Sequence, residues 1–282
     1  MLSKLAELAE MIKFEHTVFA LPFALSSAVV AARGVPDWAV LGWILLAMVG
    51  ARTSAMAFNR IADVDLDRCN PRTRNRALPA GRLSTVSAWA LTAGGAGALV
   101  YAAYRLNPLA FVLSPVALLW ILAYSYTKRF TAWSHLALGL SLSIAPIGAW
   151  IAVTGRFDFP PLVLAAAVVF WTAGFDVIYA LQDVDFDKRE RLFSVPTRFG
   201  EAAALWISRG LHAAMVAFAV GFGVLSGLGA VYYLGVALVA AFLVREHLLV
   251  RPGDLSKVNE AFFVMNGCVS VGFFVFTAAS LL

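Results

Sequence analysis

Long apolar runs dominate the chain, and short polar segments separate them. Each run approaches the ~20 residues that an α-helix needs to cross a bilayer. The pattern predicts nine membrane spans, near residues 14–32, 37–62, 84–104, 109–126, 134–154, 160–182, 200–226, 229–249 and 258–281. Because a span must satisfy its backbone hydrogen bonds internally, the predicted fold class is all-α, a polytopic integral membrane protein.

The composition agrees with a membrane protein. The 282 residues are 61% hydrophobic and 14% charged, with a mean hydropathy of +0.80, whereas a water-soluble domain carries about 25% charged residues. No linker or low-complexity tract interrupts the chain, so residues 1–282 are predicted to form a single domain. Residues 1–13 are predicted to form a short amphipathic helix, and Cys69 and Cys268 are predicted to be free thiols.

Basic residues predict the orientation of the spans. The connections after spans two, four, six and eight contain Arg68, Arg72, Arg74, Arg76, Arg82, Lys128, Arg129, Lys188, Arg189, Arg191, Arg198, Arg251 and Lys257. The opposite connections contain Arg33, Arg105 and Arg156. The positive-inside rule therefore predicts a cytoplasmic N-terminus in the inner (plasma) membrane, and nine spans would leave the C-terminus outside. The net charge of +5 then reflects topology and gives little indication of nucleic-acid binding.

Two acidic motifs of similar sequence each close an apolar run, NRIADVDLD at 59–67 and QDVDFD after span six. At four-residue spacing on a helix, Asp63 and Asp67 project from one face. Asp183 and Asp187 repeat that spacing. Carboxylates this close repel each other and lose hydration at a membrane boundary, so a cation is expected to join them. Two such pairs can hold Mg²⁺ ions with a diphosphate bridging the metals, and both pairs are predicted to face the cytoplasm.

The motifs close spans two and six, which predicts two related four-helix halves followed by a ninth helix. The alternative for the first motif is a helix end with solvated charges and a basic topology loop. That alternative leaves the common face of Asn59, Asp63 and Asp67 unexplained.

Several cationic and polar residues accompany the motifs. Arg72 and Arg76 offer paired guanidinium donors that match phosphate oxygens. Arg52 lies two helical turns before Asn59 and needs an anionic partner, either a protein carboxylate or an acidic substrate. Tyr124 and Lys128 are candidates for a phosphate contact, although a membrane-interface tyrosine with a snorkelling lysine has the same pattern.

Span six also contains an intramembrane carboxylate. Asp176, Tyr179 and Asp183 fall on one stripe of the predicted helix. Asp176 is a candidate functional residue, or it hydrogen-bonds to a neighbouring helix. His16, beside Glu15, is equally consistent with a site residue or a helix-packing contact, and the remaining histidines show no metal-ligand clustering.

These residues resemble those of the UbiA superfamily of intramembrane aromatic prenyltransferases, and the resemblance covers essentially the whole chain. It rests on the nine spans and on four ordered motifs: Asn-x-x-x-Asp-x-x-x-Asp at 59–67, Arg-Thr-x-Asn-Arg-x-Leu-Pro-x-Gly at 72–81, Tyr-x-x-x-Lys at 124–128 and Asp-x-x-x-Asp at 183–187. The resemblance implies a UbiA-like helical bundle. It also implies magnesium and diphosphate binding by Asn59, Asp63, Asp67, Asp183 and Asp187. Diphosphate contacts would come from Arg72, Arg76, Tyr124 and Lys128, and Arg52 would meet the acceptor's carboxylate.

Two features depart from the ubiquinone branch of that family. Those enzymes usually read Asn-Asp in the first motif, where this chain has Asn59-Arg60, and their first span opens differently from KFEHTVFALP at 13–22. The chain looks more like the menaquinone-pathway (MqnP-like) branch. The expected acceptor is therefore 1,4-dihydroxy-6-naphthoate, with 4-hydroxybenzoate next.

The function expected from these observations is Mg²⁺-dependent transfer of a polyprenyl group from polyprenyl diphosphate to an aromatic carboxylate acceptor. A pair of Mg²⁺ ions would serve as cofactor, the isoprenoid tail would lie in a groove open to lipid, and Asp176 or Asp183 would accept the ring proton. A transporter or channel using intramembrane carboxylates is the competing class, but it does not explain the arginine-rich loop. Haem or chlorophyll prenylation and alcohol phosphotransfer are more distant alternatives.

Overall fold

The computed structural model describes residues 17–282, with side chains from Phe19 onward. These residues form twelve α-helices and no β-strand. The helices are α1 (Thr17–Ala32), α2 (Trp38–Ala62), α3 (Val64–Cys69), α4 (Thr85–Leu106), α5 (Pro108–Ala123), α6 (Ser134–Thr154), α7 (Pro160–Ala180), α8 (Val184–Arg189), α9 (Val195–Phe199), α10 (Glu201–Ser226), α11 (Ala230–Leu249) and α12 (Asn266–Ala279). Two 3₁₀ segments (Tyr124–Arg129 and Leu181–Asp183) and a π-helical segment (Glu260–Met265) extend them. The helix predicted at 1–13 and His16 lie outside the described residues.

Eight helical segments in the described part of the chain are long and apolar enough to cross a membrane. They are Trp38–Ala62, Thr85–Leu106, Pro108–Arg129, Ser134–Thr154, Pro160–Arg189, Glu201–Ser226, Ala230–Leu249 and Glu260–Ala279. The apolar helix Phe19–Ala32 is shorter than these. The all-α, polytopic prediction is confirmed, whereas the count of nine spans is not.

The chain packs as two compact units. The first contains residues 38–126, and the second contains residues 18–37 and 127–282. In the first unit, α2 packs closely along α4, and a Cβ added at Gly50 would lie 2.7 Å from the Gly95 carbonyl oxygen. Small residues at this crossing let the two backbones touch. The contact fixes the helix whose end carries the first acidic motif.

An aromatic core occupies the second unit. The rings of Phe23 and Trp171 lie 4.9 Å apart, and those of Phe19 and Phe175 lie 5.7 Å apart. Edge-to-face and tilted ring contacts of this kind stabilise beyond the apolar area that they bury. The predicted division into two four-helix halves is therefore wrong for the first span, because residues 18–32 pack within the second unit.

Buried hydrogen bonds tie four helices of the second unit together. The Trp171 indole donates to Asn266 Oδ1 (2.7 Å), and the Asn266 amide donates to Glu246 Oε1 (3.0 Å). His212 Nδ1 lies 3.0 Å from His247 Nε2, and its Nε2 lies 3.3 Å from the Trp171 carbonyl oxygen. Polar contacts between apolar helices fix their relative register. They hold α7, the helix that carries Asp176 and leads into the second motif.

Candidate functional site

The first acidic motif sits at a break in its helix. Helix α2 ends at Ala62 and α3 begins at Val64, with Asp63 between them at φ −103° and ψ 6°. The sequence pattern likewise predicts the end of the second span at residue 62. Aspartate favours such helix ends because its side chain competes with the backbone for hydrogen bonds. The four-residue bonding nevertheless continues, since Asp63 N–H donates to Asn59 (3.0 Å) and Asp67 N–H donates to Asp63 (2.7 Å).

The two outer carboxylates of this motif, those of Asp63 and Asp67, are buried. Asp63 is 4% exposed and Asp67 is 7% exposed. The Asn59 amide donates to Asp63 Oδ2 at 3.2 Å. Arg76 Nη1 donates to both oxygens of Asp67, at 2.8 and 2.9 Å. The structure thus brings Asn59 to Asp63 and Arg76 to Asp67, in line with the predicted grouping of these residues.

Arg60 is a neighbour of the motif that sequence reasoning did not identify as a site residue. Its Nη1 lies 3.9 Å from Asp67 Oδ2, and only 7% of the residue is exposed. Asp67 therefore interacts with two arginines, one from the helix and one from the following loop. The sequence did contain a signal for this contact, because a charged residue, Arg60, directly follows Asn59 near the end of an apolar span.

The basic loop that follows is anchored by apolar residues. Ala77, Leu78 and Leu83 form a buried cluster with Ala57 and Ala88, which belong to α2 and α4. This packing holds the segment that carries Arg76. The loop is thus a fixed part of the site and more than a charged connection.

Polar turns further shape the start of that loop. Asn70 Oδ1 accepts from the Arg72 N–H (2.9 Å), and the Thr73 hydroxyl donates to the Asp67 carbonyl (3.2 Å). The Arg72 residue itself is exposed. Arg72 and Arg76, predicted as a pair, therefore differ in burial and in contacts.

Arg52 and Tyr124 also meet in the first unit. Arg52 lies within α2 and is partly buried, and Tyr124 begins the 3₁₀ segment after α5. The Tyr124 hydroxyl interacts electrostatically with both Arg52 and Arg60. Lys128, near the end of the same segment, belongs to the second unit, where its carbonyl oxygen accepts from the Phe193 N–H at 2.8 Å.

The second acidic motif has the same backbone break as the first. After α7, the 3₁₀ segment Leu181–Asp183 leads into α8, and Asp183 adopts φ −107° and ψ 4°. Asp183 and Asp187 are partly buried rather than fully buried. The Asp187 carbonyl oxygen accepts from the Leu192 N–H at 2.8 Å, which closes the turn after the motif. The matching dihedral angles support an internal repeat at the motifs themselves.

Asp176 pairs with a histidine that sequence reasoning passed over. His135 Nδ1 lies 2.6 Å from Asp176 Oδ2, and the Val195 N–H donates to His135 Nε2 at 3.2 Å. Because Nε2 accepts a hydrogen bond from the Val195 N–H, the neutral ring carries its hydrogen on Nδ1. Nδ1–H then donates a hydrogen bond to the Asp176 carboxylate. His135 is 3% exposed, whereas a quarter of the Asp176 side chain (26%) is exposed. The histidine therefore orients a carboxylate that other groups can still reach.

The donor set fits magnesium. Carboxylate and amide oxygens are ligands that Mg²⁺ prefers, and it usually keeps further ligands from water or substrate phosphate. Within residues 17–282, no three His, Cys, Asp or Glu side chains are grouped so as to hold a metal ion. An ion at these motifs would need additional oxygen ligands, such as those of a diphosphate. The predicted ligand set stays a prediction.

Comparison with known proteins gives a consistent result. The model of the UbiA prenyltransferase family matches residues 20–267. A 4-hydroxybenzoate octaprenyltransferase of Nitrosospira multiformis is 32% identical over 236 residues, covering 84% of this chain and 81% of the relative. Its counterpart in Paraburkholderia phytofirmans is 32% identical over 240 residues, covering 84% and 83%.

Solved structures share the fold. The apo structure of a UbiA homologue from Aeropyrum pernix K1 superimposes with a TM-score of 0.86 and 36% identity, covering 95% of this chain and 98% of that one. A UbiA homologue from Archaeoglobus fulgidus, bound to DMAPP and Mg²⁺, has a TM-score of 0.78 and 18% identity, covering 98% and 99%. The predicted family and bundle fold are confirmed.

Proposed function

The chain belongs to the UbiA prenyltransferase family, and from this premise we propose that it transfers a polyprenyl group from polyprenyl diphosphate to an aromatic carboxylate acceptor. The product would be a precursor of a membrane quinone. As a prenyltransferase the chain is an enzyme, so the transporter alternative falls away. The observation that carries the proposal is the first motif, where two buried carboxylates lie among an amide and two arginines.

We propose that both acidic motifs take part in binding the magnesium diphosphate. Asn59, Asp63, Asp67, Asp183 and Asp187 would supply oxygen ligands, and two ions would be held. Arg72, Arg76, Tyr124 and Lys128 would contact the diphosphate. The Archaeoglobus fulgidus homologue bound to DMAPP and Mg²⁺ supports the use of magnesium and an isoprenyl diphosphate.

The reaction breaks the allylic C–O bond of the donor and forms a C–C bond to the aromatic ring. Magnesium, when bound, supplies positive charge that stabilises the departing diphosphate. Arg76 Nη1 contacts both oxygens of Asp67 in this structure, and the other guanidinium nitrogens have donors for a phosphate oxygen. Buried guanidinium groups favour the charge that develops on the leaving group more strongly than solvated ones do.

The ring proton must leave after the new bond forms. We propose Asp176 as its acceptor, because His135 orients the carboxylate while leaving part of it exposed. A base needs both reach and a fixed orientation. Asp183 is the alternative acceptor.

For the acceptor, we propose 1,4-dihydroxy-6-naphthoate ahead of 4-hydroxybenzoate. The bacterial relatives are named for the acceptor 4-hydroxybenzoate, which supports an aromatic carboxylate as the acceptor here. The departure at Arg60 favours the menaquinone branch. Arg52 would bind the acceptor's carboxylate, since a guanidinium within a membrane helix needs an anionic partner.

An assay that offers both acceptors side by side, with mass detection of products, tests this choice. Naphthoate is expected to give the faster turnover. Arg52→Ala should weaken use of the carboxylated acceptor by about 10- to 100-fold, the range for a hydrogen bond to a charged group, with little change for the donor. If Arg52→Ala lowers the use of a decarboxylated acceptor by the same factor, Arg52 has a structural role instead. Faster turnover of 4-hydroxybenzoate by the native protein would reverse the acceptor assignment.

We further propose that residues 1–282 act as one prenyltransferase domain in the inner membrane, with both motifs facing the cytoplasm. The arginine-rich connections after the motif-bearing helices support this orientation. A reporter inserted in residues 70–80 or 189–198 should be cytoplasmic, and one at the C-terminus should be outside. A cytoplasmic C-terminus would show that the number of spans is even.

A further inference from the structure

A polar cavity lies in the second unit, at the end of α7 opposite to the second motif. It has a volume of about 400 Å³, and its polar lining includes Arg33, Thr154, Arg156, Asp158 and Ser226. Helices α1, α6 and α10 end beside it, and α7 begins there at Pro160. Because these are ends of membrane-crossing or apolar helices, the cavity lies at the level of lipid headgroups.

The first charged group of the cavity is held in place by the backbone. Arg33 adopts φ 55°, a left-handed conformation that favours glycine, at the end of α1. Its Nη1 donates to the Ser226 carbonyl oxygen at 2.8 Å, which caps the end of α10. The position of the Arg33 side chain could therefore be explained by this helix-capping contact alone. A guanidinium has five N–H donors, however, so this cap leaves donors for a ligand.

Thr154 also has a structural role, since its hydroxyl donates to the Trp150 carbonyl oxygen (2.9 Å) and accepts from the Arg156 N–H (3.2 Å). Such local contacts do not fully explain the Asp158 carboxylate and the Ser226 hydroxyl. The Trp150 indole donates to Asp158 Oδ2 (2.8 Å), which orients that carboxylate and leaves Oδ1 for another donor. Among the described residues, no partner contacts the buried Ser226 hydroxyl. Phe157 and Phe159, on either side of Asp158, are 57% and 64% exposed, as expected of residues in contact with lipid.

The charges around the cavity nearly cancel. Two arginines face one aspartate, while three helix C-termini and one N-terminus contribute about half a charge each. A simple anion or cation therefore gains little there. A ligand that carries both charges can place its anionic group at the arginines and its cationic group at the aspartate.

We propose that this cavity binds the zwitterionic headgroup of a phospholipid that carries a primary ammonium. The phosphodiester would contact Arg156 and Arg33, and the ammonium would donate to Asp158. This lipid would come from the leaflet opposite to the acidic motifs. The proposal does not depend on the transferase reaction.

Native mass spectrometry of the full chain in detergent tests the proposal. The protein is titrated with phosphatidylethanolamine, phosphatidylcholine and phosphatidylglycerol of the same acyl chains. We expect about tenfold tighter binding of the ethanolamine lipid than of the other two, because choline has no N–H donor and glycerol has no positive charge. Equal binding of the three lipids, or tightest binding of phosphatidylglycerol, would overturn the proposal.

Two variants and one control locate the site. Arg156→Gln should weaken the binding of all three lipids, and that of the ethanolamine lipid by about tenfold. Asp158→Asn keeps an oxygen acceptor for Trp150 but removes the charge, so it should abolish the preference for ethanolamine over choline. Arg105→Gln removes an arginine that stacks on Trp43 elsewhere on the predicted outer side, and it should change nothing.

Two further results would contradict the assignment. If Arg156→Gln behaves like the Arg105→Gln control, the cavity does not bind the headgroup. Inorganic phosphate that displaces the lipid at equal concentration would show a site for free anions instead. Thermal unfolding without added lipid should be unchanged in both cavity variants, and a loss of stability in Asp158→Asn with lipid preference intact would make Asp158 structural.

Discussion

The first and second acidic motifs end their helices in the same way, but the outer carboxylates of the first motif are buried and those of the second are only partly buried. At Asp63 and Asp183 the backbone dihedral angles agree within a few degrees (φ −103° and −107°, ψ 6° and 4°). In the first motif, arginines approach the buried Asp67 at 2.8 and 3.9 Å. In the second unit, Asp176 is a partly exposed carboxylate, and His135 orients it through a hydrogen bond.

This difference indicates a division of labour within the proposed reaction. Buried carboxylates among arginines suit the charge of a metal-bound diphosphate, because Arg60 and Arg76 both compensate Asp67 and still have donors for phosphate. A carboxylate hydrogen-bonded to neutral histidine suits proton transfer, because it keeps an oxygen free of strong ion pairs. The same helix-ending motif therefore occurs at two degrees of burial, and the second copy follows a helix that also carries the histidine-oriented Asp176.

The largest expected effect comes from removing one carboxylate of either motif. Asp63→Asn and Asp183→Asn should each lower turnover by at least about 100-fold, because the loss of metal-assisted charge stabilisation is worth several kcal/mol. EDTA should abolish activity and added Mg²⁺ should restore it, as measured by product formation in membranes. Activity that persists in EDTA-treated membranes would remove the metal from the mechanism.

Arg76→Ala tests the arginine contact to Asp67 in the first motif. It removes a charged partner from a carboxylate that is largely buried (side chain 9% exposed), so kcat/KM should fall by about 10- to 100-fold. Arg76→Lys should recover only part of the loss, because an ammonium can contact Asp67 but lacks the further guanidinium donors for a phosphate. Arg74→Gln, an exposed residue of the same loop, is the matched control. Equal losses in Arg74→Gln and Arg76→Ala would make the effect one of general charge.

His135→Ala tests the second environment. It should lower kcat by about tenfold, through lost orientation of Asp176, while donor binding is unchanged. His135→Asn should restore much of the rate, since its amide can replace the Nδ1–H donor to Asp176. Rapid-mixing kinetics would separate the chemical step from donor binding. A change in donor KM with kcat intact would contradict the positioning role.

The smallest effect is expected at the middle aspartate of each motif. Asp65 and Asp185 are exposed. Asp65, whose side chain is 88% exposed, forms a surface ion pair with Arg68. Surface pairs contribute about 0–1 kcal/mol, so Asp65→Asn and Asp185→Asn should keep turnover within about threefold of the native enzyme. The same activity assay measures this, and a large loss in either variant would mean that the motif's inner residues were assigned wrongly.

Much of the fold followed from local patterns. Apolar runs marked the eight long membrane helices, and the spacing of Asp63 and Asp67 indicated that the two residues lie one helical turn apart. Because these features depend on neighbours within a few residues, the sequence shows them directly. The repeat of the motif also appeared in the structure, as matching breaks at Asp63 and Asp183.

Long-range contacts escaped prediction. His135 and Asp176 are separated by 41 residues, and Val195 lies 60 residues from His135. Helical periodicity relates only residues a few positions apart, so it gives no indication that these residues meet. The packing of Phe19 and Phe23 against Trp171 likewise depends on how helices distant in sequence meet. The burial of Arg60 beside Asp67 likewise depends on tertiary packing.

Calorimetric titration of the detergent-purified protein with geranyl diphosphate tests the central claim, that both acidic motifs are needed for magnesium-dependent diphosphate binding. The native protein should bind the diphosphate with Mg²⁺ and lose that binding in EDTA. Asp63→Asn and Asp183→Asn should each weaken binding by about tenfold or more, whereas Asp65→Asn should not. Binding of native strength in Asp183→Asn, or binding that is unaffected by EDTA, would contradict the account.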